Sequence, residues 1–154
     1  MVWYHLFFEF HGRIGRGQFW LGILILLGVE LAILLPLMQN YAADLVEKPP
    51  ALWFRNLTLL VDTALAWPSL ALMAKRQHDR DQRPLLAYTS VVLALMFSMM
   101  DAFGLVQDAS GFTAFGKFFW MILLGVMVVV IVELGCRAGT DGPNNFGPPP
   151  ESAE

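Results

Sequence analysis

Three short polar motifs carry side chains that could bind an anion or transfer a proton. Guanidinium groups bind phosphate and carboxylate through paired N–H donors, and the glycine-rich turn at residues 12–17 can add backbone N–H groups to such a site. For a chain in a membrane, the nearest abundant anion is a lipid headgroup. The side chains predicted to form this anion or headgroup site are Arg13, Arg16, Arg76, His78, Asp79 and Asn144.

The pair His78 and Asp79 also suggests an enzyme, because a histidine beside a carboxylate resembles part of a metal phosphohydrolase site. Such a site needs further ligands, and the other histidines, His5 and His11, have no recognisable ligand spacing with this pair. Adjacent helical residues also point in different directions. We therefore expect no metal, no cofactor and no catalytic residue. The structural alternative pairs Asp79 with Arg76 and lets His78 cap a helix.

Three acidic residues, Glu30, Asp62 and Asp101, lie inside long apolar runs. A carboxylate at mid-bilayer costs about 2.5 kcal/mol or more, so such residues are often functional. No basic residue lies at comparable depth along the chain, and neutral carboxylic acids are the expectation. Asp62 and Asp101, if they face each other, could share a proton and line a cavity for proton-coupled movement of a substrate. The alternative is that both reach the outer surface.

Two contacts are expected where the apolar runs end near the polar motifs. Glu133 lies close to such an end, and a structural ion pair with Arg13, Arg16 or Arg137 is its expected role. The tail motif from Gly139 to Pro148 is rich in residues that favour turns. We expect it to fold back, with Phe146 packed under the helices and Asn144 hydrogen bonded to backbone.

The elements that must position these motifs are four long apolar segments. A bilayer core about 30 Å thick requires about 20 apolar residues per helix. The segments that meet this requirement are Phe19–Met38, Leu57–Ala74, Pro84–Val106 and Phe118–Leu134. The sequence therefore predicts an all-α membrane protein, a bundle of four transmembrane helices.

Basic residues are unevenly distributed between the loops, and this sets the predicted orientation. Seven flank the ends that an N-inside topology places in the cytoplasm, whereas three fall outside them. The seven are Arg13, Arg16, Lys75, Arg76, Arg80, Arg83 and Arg137, and the three are Lys48, Arg55 and Lys117. We therefore predict that both termini are cytoplasmic.

The remaining organisation is that of a single membrane domain. With 154 residues, 56% hydrophobic and 15% charged, the chain has no room for a second soluble domain. Trp3, Phe7 and Phe10 would share one face of a short N-terminal helix in the membrane interface. The domain is expected to cover residues 1–150, with a disordered tail at 151–154. Cys136 is the only cysteine, so we expect a free thiol.

Together the motifs resemble the bacterial inner-membrane family called domain of unknown function 805 (DUF805). The resemblance rests on FHGRIGRGQFW at 10–20, on Pro68 followed by KRQHD at 75–79, and on GTDGPNNFGP at 139–148. The chain departs from the family at 80–84, where RDQRP replaces a stretch that usually contains glycine and tryptophan. The resemblance implies a four-helix inner-membrane protein and supplies no established activity.

Three functions remain open at this point. The first is a nonenzymatic, multi-pass protein of the bacterial inner membrane that binds an anionic headgroup or small anion on its cytoplasmic side, and that could move it across the bilayer. The second is a structural or regulatory subunit of a membrane complex, and the third is a membrane enzyme that uses His78 and Asp79. Lipids are the expected partners, with a homodimer or larger complex also considered. Nucleic-acid binding is not expected, because the loops are too small to read bases.

Overall fold

Four long apolar helices make up most of the chain that the structure describes. In this computed structural model the described residues are 3–39, 51–108 and 111–150, so Lys48 and the predicted tail at 151–154 lie outside them. The elements are α1 (Trp3–Phe8), α2 (Arg16–Gln39), α3 (Leu52–His78), α4 (Leu85–Ala102), β1 (Gln107–Asp108), β2 (Gly111–Phe112) and α5 (Ala114–Val130), which continues as a π-helical turn (Ile131–Cys136). Within those ranges, α2, α3, α4 and α5 with its turn are long and apolar enough to cross a membrane.

The four predicted helices are therefore confirmed as candidate membrane spans, although their ends differ. Helix α3 begins at Leu52 and continues to His78, so the polar residues after Ala74 are still helical. Helix α4 ends at Ala102, before the predicted end at Val106, because the chain turns at Gly104 with a positive φ of 74°. Glycine adopts this left-handed conformation without steric cost. The antiparallel strands β1 and β2 follow directly.

Helix α3 is central to the packing, since it contacts α1, α2 and α4. Helix α4 packs against α5, and α2 meets the last span chiefly at its π-helical turn. The main buried apolar cluster lies where α2 begins, α3 ends and α4 begins, and we call this the cap end. Its members are Leu6, Phe7, Ile14, Phe19, Leu72, Met73, Ala87 and Leu134. Elsewhere the helices expose apolar side chains, as lipid-facing surfaces do.

Helix α1 lies against α3 at the cap end. Trp3 stacks on Phe7 with ring centroids 6.5 Å apart, as the predicted shared face requires. Phe10 lies beyond the end of α1 and instead packs edge-on against Trp67 of α3, with centroids 5.0 Å apart. The Lys75 ammonium donates to the carbonyl oxygens of Leu6, at 2.6 Å, and His5. A cation there is favourable because the last carbonyls of a helix lack helical partners.

The β1–β2 hairpin marks the opposite end of the bundle, which we call the hairpin end. Arg55, in the first turn of α3, donates to the carbonyl oxygens of Asp101 (3.2 Å) and Gln107 (3.3 Å). Thr113 caps α5, because its hydroxyl accepts from the Gly116 N–H at 2.9 Å. The Arg55 contacts hold the beginning of α3 to the end of α4 and to β1, where the apolar core is sparse.

Candidate functional site

A buried carboxylate, Asp79, connects two arginines at the cap end. Asp79 follows the last residue of α3 and is only 3% exposed. Its Oδ1 accepts from Arg13 Nε at 3.1 Å and from Arg13 Nη2 at 2.9 Å, and its Oδ2 accepts from Arg76 Nη1. Both Arg13 donors therefore meet one oxygen of the carboxylate, and hydrogen bonds between ionised partners are stronger than neutral ones. The expected pairing of Arg76 with Asp79 is confirmed.

Arg13 also fastens the polypeptide after the last span. Its Nη1 donates to the Gly142 carbonyl oxygen at 2.7 Å, and its Nη2 donates to the Thr140 carbonyl oxygen at 2.8 Å. Gly142 has a φ of 74°, a conformation that suits glycine and turns the chain around the guanidinium. A Cβ on Gly139 would overlap the Asp79 carboxylate. This segment therefore needs glycine where it passes the ion pair.

The π-helical turn supplies further acceptors to the same site. Arg76 Nε donates to the Leu134 carbonyl oxygen at 2.7 Å, and Arg76 Nη2 donates to that of Arg137. The indole N–H of Trp20 donates to the Gly135 carbonyl oxygen at 3.2 Å. The last carbonyls of a helix need such outside donors. We call the Arg13–Asp79–Arg76 group, the π-helical turn and residues 139–147 the polar cap.

Glu133, within the π-helical turn, is held by two arginines. It accepts from Arg137 Nη1 at 2.6 Å and from Arg80 Nη1. The expected ion pair is confirmed for Arg137, whereas Arg80 was not anticipated. Arg13 contacts Asp79 instead, and Arg16 Nη1 donates a long hydrogen bond of 3.4 Å to the Cys136 carbonyl oxygen. Glu133 thus joins the end of α3 to the end of the last span.

The tail folds back under the bundle as expected. Phe146 stacks on the His78 imidazole, with centroids 4.0 Å apart and an interplanar angle of 7°. Asn144 Nδ2 donates to the His78 carbonyl oxygen at 2.8 Å. The His78 ring therefore faces Phe146, while the Asp79 carboxylate faces Arg13 and Arg76. The two adjacent side chains therefore have separate surroundings.

The structure thus brings the residues of the predicted anion site to one end of the bundle. The guanidinium groups of Arg13 and Arg76 are already engaged by Asp79 and by backbone carbonyl oxygens. Arg16 and Arg137 are different, because both are exposed beside the π-helical turn. The buried arginines therefore hold the fold, and the exposed ones can meet an external anion.

The three intramembrane acids separate into two groups. Glu30 of α2 and Asp62 of α3 line one cleft of about 400 Å³, and Asp62 forms a side-chain hydrogen bond with Ser98. Asp101 lies at the hairpin end, close to Arg55. The expectation that no basic residue lies at its depth is therefore wrong, because α3 begins at Leu52 and places Arg55 at the level of the end of α4. The structure supports no shared proton between Asp62 and Asp101.

Several contributors to this site were not foreseen. Arg80, Trp20 and Gly139 lie in or beside the motifs, but each acts through a partner distant in the chain. No simple sequence pattern marks the π-helical turn, whose carbonyl oxygens are central to the cap. Across residues 3–39, 51–108 and 111–150, no group of three or more His, Cys, Asp or Glu side chains is arranged to hold a metal ion.

Comparison with known proteins agrees with the motif pattern. A family described as "Protein of unknown function (DUF805)" matches residues 7–148. Two relatives, from Escherichia coli strain K12 and Escherichia coli O157:H7, are each described as "Uncharacterized protein YiiR". Each is 31% identical over 140 residues, which cover 91% of this chain and 84% of the relative. No solved structure matches the chain.

Replacing Asp79 by Asn should destabilise the protein strongly. Asp79→Asn leaves Arg13 and Arg76 buried without a counter-charge, and breaking such a pair costs about 3–5 kcal/mol. Asp141→Asn, the same chemical change at an exposed tail position, should alter the free energy of unfolding by less than about 0.5 kcal/mol. Both values can be measured by circular dichroism during unfolding in mixed micelles of increasing SDS content. Equal stability of the two variants would contradict the role assigned to Asp79.

Proposed function

Because the chain belongs to the DUF805 family of proteins of unknown function, we propose a function from its own site. It is a nonenzymatic, multi-pass protein of the bacterial inner membrane that binds an anionic lipid headgroup at the cytoplasmic side of its polar cap. The observation that carries the proposal is an imbalance of charge beside the π-helical turn. Arg80 and Arg137 both contact the carboxylate of Glu133, and Arg16 reaches the Cys136 carbonyl oxygen in the same turn.

The accessible part of this basic surface is formed by Arg16 and Arg137. The Arg137 side chain is 59% exposed even though it contacts Glu133. Arg16 lies in the first turn of α2, and its guanidinium donates to the carbonyl oxygen of Cys136. Cys136 directly precedes Arg137 in the chain. Two guanidinium groups so placed present a set of planar donors suited to a phosphate. Both arginines also lie at helix ends, and in a membrane-spanning bundle the helix ends lie at the level of the lipid headgroups.

The buried part of the polar cap positions this surface. Arg76 donates to carbonyl oxygens on both sides of Cys136, and Trp20 of α2 donates to the Gly135 carbonyl oxygen. These contacts fix the π-helical turn relative to the beginning of α2. Arg13, Arg76 and Asp79 are therefore positioning residues in this proposal, while Arg16 and Arg137 contact the phosphate.

The cytoplasmic placement of the cap end rests on the distribution of basic residues. Of the seven residues predicted to be cytoplasmic, all lie at the cap end or in the turn between α3 and α4. Arg55 and Lys117 lie at the hairpin end. This asymmetry in short loops is the pattern that the positive-inside rule describes.

Removing both exposed arginines should weaken binding of anionic lipid. A basic residue near an anionic membrane surface contributes about 1 kcal/mol, so Arg16→Gln/Arg137→Gln should lower affinity for phosphatidylglycerol roughly 30-fold. Native mass spectrometry of the full chain, titrated with phosphatidylglycerol or phosphatidylethanolamine, measures the bound lipid directly. Phosphatidylethanolamine adducts should stay unchanged.

The matched control is Lys117→Gln, which removes a positive charge at the hairpin end. It should retain the phosphatidylglycerol adducts, because Lys117 lies in α5 away from the polar cap. Equal adducts in the wild-type chain and the double variant, with both folded, would overturn the proposal. Loss of a partner protein from the double variant, with lipid retained, would instead favour a subunit of a membrane complex.

The orientation can be tested by cysteine labelling. Cys136→Ser gives a chain without cysteine, into which Ala138→Cys at the cap end or Phe112→Cys in the hairpin can be introduced. Both positions are exposed. With a membrane-impermeant maleimide, intact spheroplasts should label the Phe112→Cys chain, while the Ala138→Cys chain should react only after lysis. The reverse pattern would place the cap end outside the cytoplasm.

A further inference from the structure

A cleft between the helices is separate from the polar cap. It has a volume of about 400 Å³, within the usual range for a small-molecule site. All four long helices contribute side chains to its wall. Those used below are Glu30 of α2, Asp62 and Ala66 of α3, and Trp120 of α5.

The two carboxyl groups lie at nearly the same depth. At 1.5 Å per residue, Glu30 is about 21 Å from the beginning of α2 at Arg16, and Asp62 is about 24 Å from the end of α3 at His78. Both ends belong to the cap end. The residues that line the cleft include no Lys, Arg or His. A bound cation favours the ionised form of these carboxyl groups, which are expected to be neutral in the empty cleft, and no basic side chain of the wall competes with it.

The rest of the wall is suited to an apolar ligand. Leucine, valine and alanine side chains from α3, α4 and α5 form most of it, and Trp120 adds an aromatic face. Aromatic faces attract cations through the ring quadrupole. A small metal cation keeps its charge concentrated and requires several oxygen ligands, whereas a bulky organic cation spreads its charge over apolar groups. A bulky organic cation therefore matches both the acidic groups and the apolar surface of the cleft.

The packing of the helices also indicates a route of entry. Helix α2 meets the last span chiefly at the π-helical turn, so these two helices touch mainly at the cap end. Towards the hairpin end the cleft is bounded mainly by the pairs α2–α3, α3–α4 and α4–α5. A ligand dissolved in the bilayer could therefore enter between α2 and α5.

From this geometry we propose that the cleft binds an amphipathic organic monocation, an apolar body that carries one quaternary ammonium or phosphonium centre. The ligand enters from the bilayer, its charged centre lies between Glu30 and Asp62, and its apolar groups pack against Trp120 and the aliphatic wall. No covalent step is involved. This site is independent of the headgroup surface at Arg16 and Arg137.

The test uses radiolabelled methyltriphenylphosphonium and the full chain in nanodiscs of zwitterionic phosphatidylcholine. Equilibrium dialysis should give saturable binding to the wild-type protein. Removing one member of a desolvated charge pair weakens binding, so Glu30→Gln and Asp62→Asn should each weaken it more than about tenfold. Asp141→Asn, the matched change in the tail, should bind as the wild type does.

Two further arms separate charge recognition from nonspecific partition. The neutral isostere 1,1,1-triphenylethane should fail to displace the labelled cation. Ala66→Phe keeps both carboxyl groups but fills the cleft, and it should abolish binding even if an acid variant fails to fold. The proposal would be overturned if binding were not saturable or if the neutral compound displaced the labelled cation. It would also be overturned if Glu30→Gln, Asp62→Asn or Ala66→Phe bound the cation as the wild type does.

Discussion

Asp79 is bound on one side by Arg13, which precedes the first long helix, and on the other by Arg76, in the last turn of α3. All three side chains are almost fully buried. The remaining guanidinium donors reach carbonyl oxygens of the π-helical turn and of the tail after it. One carboxylate therefore determines where the beginning of α2, the end of α3 and the end of the last span meet.

A polar cap of this kind matters more in a membrane than it would in water. Lipid tails are as apolar as leucine, so burial of apolar surface between helices contributes little once the helices are inserted. The long helices here expose much apolar surface and have few buried residues away from the cap end. Directional hydrogen bonds and ion pairs then supply the specificity that fixes their arrangement. The same arrangement leaves Arg16 and Arg137 exposed on one face and leaves the cleft with Glu30 and Asp62 open further along the bundle.

The sequence allowed the four spans, the contact between Arg76 and Asp79, and the fold-back of Phe146 to be predicted, because each depends on local periodicity, short spacing or turn composition. The contact between Arg13 and Asp79 joins residues 66 positions apart, and no local pattern encodes it. The basic neighbour of Asp101 was missed for a related reason, since the beginning of α3 decides whether Arg55 lies at its level. The π-helical turn also escaped prediction, because apolar runs of this kind are compatible with either helical form.

The most direct test of the role of the polar cap is hydrogen exchange at the backbone of residues 139–147. The Thr140 N–H donates to the Asp79 carbonyl oxygen, and Asn144 and Gly147 hydrogen bond each other. These amides should exchange slowly in the wild-type chain and at least about tenfold faster in Arg13→Gln, which corresponds to a loss of about 1.4 kcal/mol. Arg16→Gln, the same substitution at an exposed position, should leave them protected. Rapid exchange in the wild-type chain, or unchanged protection in Arg13→Gln, would contradict the view that Asp79 and its arginines hold this end of the protein together.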